Sequence, residues 1–85
     1  MKIYKFSTPT CGQCMMVAQR LKQSNVRYEE IDCTTTGGSL MAGQYNVSHV
    51  PTIIILNDDG TERERLSNMP AILKAISRGA FKTHL

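Results

Sequence analysis

The sequence predicts a small α/β domain: a four-stranded mixed sheet with helices on its faces, in the order β-α-β-α-β-β-α. Three observations predict it. Residues 2–7 carry a strand pattern, then apolar residues at helical spacing follow, then a second strand pattern. An unbroken β-branched run, Ile53-Ile54-Ile55, follows Pro51. A turn signal, Asn57-Asp58-Asp59-Gly60, then joins that run to a charged strand and a closing helix. A chain of 85 residues has room for one such domain, spanning 1–85. It buries only about two-thirds of the surface its unfolded form exposes, so the core must be small and well packed.

Each element has its own justification. Ile3, Tyr4 and Phe6 favour extended backbone over 2–7, and Ser7-Thr8-Pro9-Thr10 ends the run. The spacing predicts a helix from about 12 to 24. Cys14, Val17, Ala18 and Leu21 fall at i, i+3, i+4 and i+7, and Gln19, Arg20, Lys22 and Gln23 fill the polar side. Ser24-Asn25 stops it. Val26–Asp32 reads as the second strand, with Val26 and Tyr28 alternating with Arg27, although Glu30 and Ile31 break the phase. Cys33–Ser39, rich in Thr and Gly, reads as a loop, and Ser39–Tyr45 as a short helix carrying Leu40 and Met41. Pro51–Leu56 has no polar alternation, as in a central strand covered on both faces. After the hairpin turn, Thr61–Leu66 reads as a strand whose charges suit an edge. Met69, Ile72, Leu73 and Ile76 repeat the helical period in the last element. Asn68 is its expected cap, Pro70 suits its first turn, Arg78 lies in its last turn and Gly79 terminates it. The opening strand-helix-strand implies a right-handed crossover and a parallel pair. The hairpin adds an antiparallel one.

Composition narrows the class. The chain is 41% hydrophobic and 20% charged, with six Gly and three Pro, and nothing in it reads as disordered or low-complexity. Ten basic and seven acidic residues, spread along the chain, give a net charge of +3. That is too weak and dispersed to argue for nucleic acid or a membrane surface. No run approaches the roughly 18 apolar residues of a membrane span, and the first residues show no signal-peptide core. The expectation is a cytoplasmic monomer. Its three cysteines are Cys11, Cys14 and Cys33. An odd count at low density argues against a disulfide-stapled secreted domain, so Cys11-Gly12-Gln13-Cys14 reads as a catalytic or metal-binding pair.

Strand, then Ser7-Thr8-Pro9-Thr10-Cys11-Gly12-Gln13-Cys14, then helix resembles the active site of the thioredoxin and glutaredoxin superfamily. Val50-Pro51-Thr52 before an apolar strand resembles that superfamily's cis-proline loop, and the element order is similar to the minimal thioredoxin fold over nearly the whole chain. Within the superfamily the features are mixed. Lys5 lies where thioredoxins place a buried Asp that assists proton transfer. Thr10 stands where they carry a Trp. Glutaredoxins carry a Gly-Gly pair where this chain has Leu66-Ser67-Asn68-Met69-Pro70. The mixture is similar to glutaredoxin-like redoxins that draw electrons from thioredoxin reductase and feed ribonucleotide reductase. It is also similar to short thioredoxin-like proteins of phages and prokaryotes.

The resemblance implies a thiol-disulfide oxidoreductase acting on protein disulfides. It needs no cofactor beyond a redox-active Cys11–Cys14 disulfide and no metal, and a thioredoxin-reductase-type flavoprotein supplies its electrons. The attacking species is a thiolate, whereas a free cysteine thiol titrates near 8.5. Cys11 is expected just ahead of a helix, where unpaired N–H groups carry partial positive charge. That should bring it to about 7, the value known for thioredoxin-type pairs, a shift worth roughly 2 kcal/mol. Cys14, one turn further on the apolar face, is expected to be buried, to keep a higher pKa and to act as the resolving thiol. Thr10, Gly12, Gln13, Val50 and Pro51 are the expected substrate-binding residues. Two alternatives stand beside this: a glutathione-dependent glutaredoxin, and a non-catalytic binding or metal-carrying module on the same scaffold.

Other residues have blander readings. For Cys11 and Cys14 these are a structural disulfide or half of a zinc site that Cys33 and His49 would complete. Cys33 reads as an exposed or half-buried thiol at a strand end, or as a site of dimerisation or oxidation. His49 reads as loop surface or as a pH-sensitive neighbour of Cys11. Lys5 reads as a core-edge lysine or as a positive charge near the sulfurs. Met41 and Met69 read as packing, whereas Met15 and Met16 read as packing or as an adaptable partner rim. Glu62–Arg65 reads as a solvated strand face.

Overall fold

Strand β1 (Lys2–Ser7) runs beside three others in a sheet ordered β2-β1-β3-β4. The computed structural model describes residues 1–81, so the last four residues of the expected 1–85 domain lie outside the described residues. Helix α1 (Gly12–Gln23) crosses from β1 to β2 (Glu29–Asp32), which pairs parallel to β1 with Tyr4 opposite Glu29. Helix α2 (Thr36–Gln44) leads back to β3 (Thr52–Leu56), antiparallel to β1. β4 (Glu62–Leu66) returns antiparallel to β3, and α3 (Met69–Ser77) closes the described chain. This is the thioredoxin fold, with the element order the sequence predicts.

The apolar run of β3 divides between two cores. Ile53 and Ile55 point to one face, where Ile3, Val17, Leu21, Leu66, Ile72, Ala75 and Phe81 bring α1 and α3 onto the sheet. Ile54 and Leu56 point to the other, with Phe6, Ile31 and the partly buried Met41, Ala42 and Tyr45 of the α2 side. A strand buried on both faces needs no polar alternation. Each fully buried isoleucine stabilises the fold by roughly 2–3 kcal/mol. Met41 and Met69 both pack as expected, each at the margin of a core.

Three helix ends share one device. Asn25 and Asn46 take φ of 58° and 56°, and Gly79 takes 75°. Each turn lets the next residue's N–H reach back into the helix: Val26 to Leu21 O, Val47 to Ala42 O and Ala80 to Ala75 O. This left-handed closure satisfies carbonyls that the helix end would leave unpaired. At the other end of α3, Asn68 Oδ1 accepts from Ala71 N at 2.8 Å, as its cap role requires.

Two expectations are corrected. The second strand begins at Glu29, not Val26, because the Val26 N–H is committed to α1 and cannot join a ladder. Val26 and Tyr28 are apolar for another reason: they pack against the α1–α3 core. The expected loop Cys33–Ser39 with a helix from Ser39 is instead a helix from Thr36. Thr35 caps it, its Oγ1 accepting from Gly38 N at 3.0 Å. Gly38 is glycine for closeness, since a Cβ there would lie 1.7 Å from the Asp32 carbonyl oxygen. The charged strand differs in detail. Arg65 is half-buried, and its guanidinium donates to Tyr45 O at 2.6 Å and Asn46 O at 3.3 Å, closing the end of α2.

The glycine pair at the start of α2 yields a matched prediction. Gly38→Ala should destabilise the protein by about 3 kcal/mol through overpacking against Asp32. Gly37→Ala, with nothing within 4 Å of its added Cβ, should leave stability unchanged or raise it by about 0.5 kcal/mol. Urea unfolding of both variants checks this.

Candidate active site

The site grows from the turn that ends β1. Cys11 N donates to Thr8 O at 3.2 Å, and Pro9 sits where a β-turn favours a fixed φ near −65°. The turn delivers Cys11 as the cap of α1, with extended backbone at φ −86° and ψ 105°. Capping positions favour side chains that accept from the first unpaired N–H groups. Here the acceptor is sulfur, and Cys14 N donates to Cys11 Sγ at 3.1 Å. The first turn of α1 holds no acidic residue to compete for the positive end of the helix.

Cys14 follows one turn later on the inward face with Val17 and Leu21, and is 1% exposed. Cys11 and Cys14 are joined as a disulfide, with Cα atoms 5.2 Å apart. Cys11 is half-buried, so the outer residue of the pair meets solvent while the inner one is closed in. Thr10, Gly12 and Gln13 are exposed around it.

The Val50–Pro51 bond is cis. Pro51 is buried, and Val50 is half-buried. Thr52 pairs with Phe6, which places Pro51 at the sheet end from which β1 leaves for Cys11. His49 is exposed, yet its ring is engaged. Nε2 donates to Ser67 O at 2.6 Å, the Ser48 hydroxyl lies 3.3 Å from Nδ1, and Thr52 Oγ1 donates to His49 O at 2.8 Å. His49 thus ties the cis-proline loop to the segment that starts α3.

Cys33 stands apart from the pair as a half-buried free thiol. Partial burial pushes its pKa above the ordinary cysteine value, more than the Ser7 backbone hydrogen bond lowers it, and the Asp32 carboxylate adds to the rise. Among the described residues no three His, Cys, Asp or Glu side chains converge as metal ligands. Met15 and Met16 are 66% and 56% exposed beside Cys14, so neither is core.

Lys5 lies beneath the site and is 2% exposed. Its Nζ donates to both carboxylate oxygens of Glu30 at 2.8 Å, and Ser7 Oγ donates to Glu30 Oε2 at 2.8 Å. Lys5, Ser7, Glu30 and Cys14 line one pocket of about 220 Å³. Sequence reasoning missed Ser7 and Glu30. The signal was the parallel register, which sets Lys5 directly beside Glu30, and it depends on where β2 starts.

Known proteins resemble this chain in sequence and in fold. The sequence model of the glutaredoxin family matches residues 3–60, which include the disulfide and the cis-proline loop. The chain belongs to the glutaredoxin family. It is a redoxin of the wider thioredoxin/glutaredoxin superfamily. The SPbeta prophage-derived thioredoxin-like protein YosR of Bacillus subtilis is 35% identical over 65 residues, which is 76% of this chain and 79% of that protein. Oxidised thioredoxin O2 of Arabidopsis thaliana superposes with a TM-score of 0.76 at 25% identity, over 95% of this redoxin and 75% of that chain. Thioredoxin 1 of Thermosipho africanus shares the fold with a TM-score of 0.62 at 23% identity, over 94% of this chain and 99% of that one.

The environment of Cys33 sets a prediction for this redoxin. In the oxidised protein iodoacetamide should label Cys33 alone, with a pH midpoint above that of cysteine in an unstructured peptide. A midpoint at or below the peptide's would contradict the burial argument.

Proposed function

We propose that this redoxin is a thiol-disulfide oxidoreductase that reduces protein disulfides. The observation that carries the proposal is the cap of α1. Cys11 Sγ accepts from Cys14 N, sits at the positive end of a helix and can be approached, whereas Cys14 is closed in behind it. A thiolate at Cys11 would be stabilised by that N–H and by the helix terminus without any other cation. In the reduced protein the Cys11 thiolate attacks one sulfur of a substrate disulfide. A bond forms to that sulfur, and the other substrate sulfur leaves as a thiolate that takes a proton from solvent. Cys14, deprotonated in turn, attacks Cys11 Sγ and expels the first substrate sulfur. The substrate has gained two electrons and two protons, and Cys11–Cys14 is left as the disulfide seen here.

The surroundings support a peptide substrate. Gly12 and Gln13 leave the approach to Cys11 low and exposed, and Val50 lies just ahead of the β3 ladder at the same sheet end. Among the described residues the Val50 carbonyl and N–H have no hydrogen-bond partner, and such groups suit an extended segment that adds to them as a strand would. An electron donor of the thioredoxin-reductase class fits a site that recognises protein surface. A glutathione-specific reading has less support, because Leu66–Pro70 contains no glycine and the family match ends at residue 60, before that segment.

Two variants test the scheme with insulin as the disulfide substrate and dithiothreitol as reductant. Cys11→Ser should abolish turnover, a loss of at least about 10³-fold, as expected when a nucleophile is removed. Cys14→Ser should accumulate a mixed disulfide visible by non-reducing electrophoresis and mass. Turnover by the Cys11 variant near the wild-type rate would overturn the assignment.

A further inference from the structure

The loop between α2 and β3 hangs on one side chain. Val47 closes the end of α2, its N–H reaching Ala42 O, and Thr52 opens the β3 ladder opposite Phe6. The four residues between them, Ser48–Pro51, lie in neither element. Among the described residues, every hydrogen bond that these four make involves His49. The His49 carbonyl accepts from Thr52 Oγ1 at 2.8 Å. The ring reaches Ser67 O at 2.6 Å. A carbonyl only accepts, so Nε2 carries the hydrogen. In the neutral ring Nδ1 is left to accept from the Ser48 hydroxyl at 3.3 Å.

The next residue is Val50, whose backbone has no partner of its own. The Val50 side chain packs against the α2-side core, and Pro51 after it is fully buried. His49 reaches the other way, to the segment between β4 and α3, where the next residue, Asn68, caps α3. An apolar anchor and a polar one thus hold the loop from two directions. Without the polar anchor the Val50 side chain stays seated, but its peptide groups are free to turn about that seat. Stability gives little reason for such a bond, because His49 is exposed and a surface hydrogen bond replaces one that water would make. Binding gives a better reason. A carbonyl and N–H that are to receive an extended segment must point in a fixed direction. Freedom removed before the encounter is not lost during it.

We propose that His49 is a positioning residue for the disulfide substrate. By fastening the cis-proline loop to Ser67, it holds the Val50 backbone in the orientation that an extended peptide needs while its disulfide lies at Cys11. This rests on the oxidoreductase reading above. His49 takes no part in the exchange of bonds and acts through Val50. The preferred substrate class follows: disulfides carried on extended polypeptide gain from His49, and small disulfides without peptide groups do not.

Two substrates separate this role from the chemistry. Insulin turnover with dithiothreitol gives KM and kcat for a polypeptide. A small aromatic disulfide, whose freed thiol is coloured, reports attack by Cys11 with no peptide to place. His49→Phe keeps a ring and removes the donor. It should raise KM for insulin about tenfold and leave both kcat and the rate with the small disulfide within about twofold of wild type, as when only substrate binding is lost. His49→Gln, whose side-chain amide can donate to Ser67 O, should return KM to within about threefold of wild type. If circular dichroism shows that His49→Phe does not fold, His49→Ala replaces it with the same expectations, because an exposed side chain can be truncated without emptying the core. An unchanged KM in the variant without a donor, an equal loss with both substrates, or a His49→Gln protein as impaired as His49→Phe would overturn the proposal. Failure of the wild-type protein to reduce either substrate would overturn the oxidoreductase reading itself.

Discussion

One hydrogen bond ties the architecture of this protein to its chemistry: the Cys14 N–H directed at Cys11 Sγ across 3.1 Å. A helix begins with N–H groups that it cannot satisfy internally, and some acceptor must be found for them. Most caps use an oxygen. Here the acceptor is the outer sulfur of the Cys11–Cys14 disulfide. The same contact starts α1, fixes the spacing of the two cysteines and places the outer sulfur where negative charge is favoured. Ser, Thr, Asp or Asn at position 11 would cap the helix equally well, so capping does not explain the cysteine there, whereas its bond to Cys14 requires one.

The sheet makes that contact reproducible. β1 leads directly into the Thr8–Cys11 turn, and its neighbours hold it on both sides: β2 in parallel register and β3 antiparallel. The buried isoleucines of β3 anchor both layers of helix. Cis-Pro51 immediately precedes the same strand, so the backbone of Val50 and the sulfurs of α1 hang from adjacent strands at one end of the sheet. His49 extends the arrangement by fastening that loop to the segment before α3. In a chain this short the core and the site share nearly all their supports.

Much of this was legible in the sequence, and the reasons are specific. β1, α1, β3 and α3 carry strong local signals: β-formers before a Pro-containing turn, a clean helical apolar face, an unbroken β-branched run, and a cap-to-glycine frame from Asn68 to Gly79. The central segment was harder because tertiary contacts override local composition there. The glycines at 37 and 38 look like loop, yet α2 runs through both, and Gly38 serves the helix's close approach to Asp32. Val26 and Tyr28 look like strand because they are buried, but the pattern of burial does not say against what. That error moved the start of β2, and with it the register that pairs Lys5 with Glu30. The two cysteines and the cis-proline loop were plain because motif chemistry is local. The charge pair beneath Cys14 was hidden because it is a property of register.

The central claim is that the start of α1 makes Cys11 a thiolate near neutral pH. Ultraviolet thiolate absorbance of the reduced protein, followed from acid to alkaline pH, tests it most directly. The account predicts a first midpoint at about 7, well below the ~8.5 of a free cysteine, and its disappearance in Cys11→Ser with the later transitions retained. A first midpoint at or above that of free cysteine, or one that survives in Cys11→Ser, would contradict it.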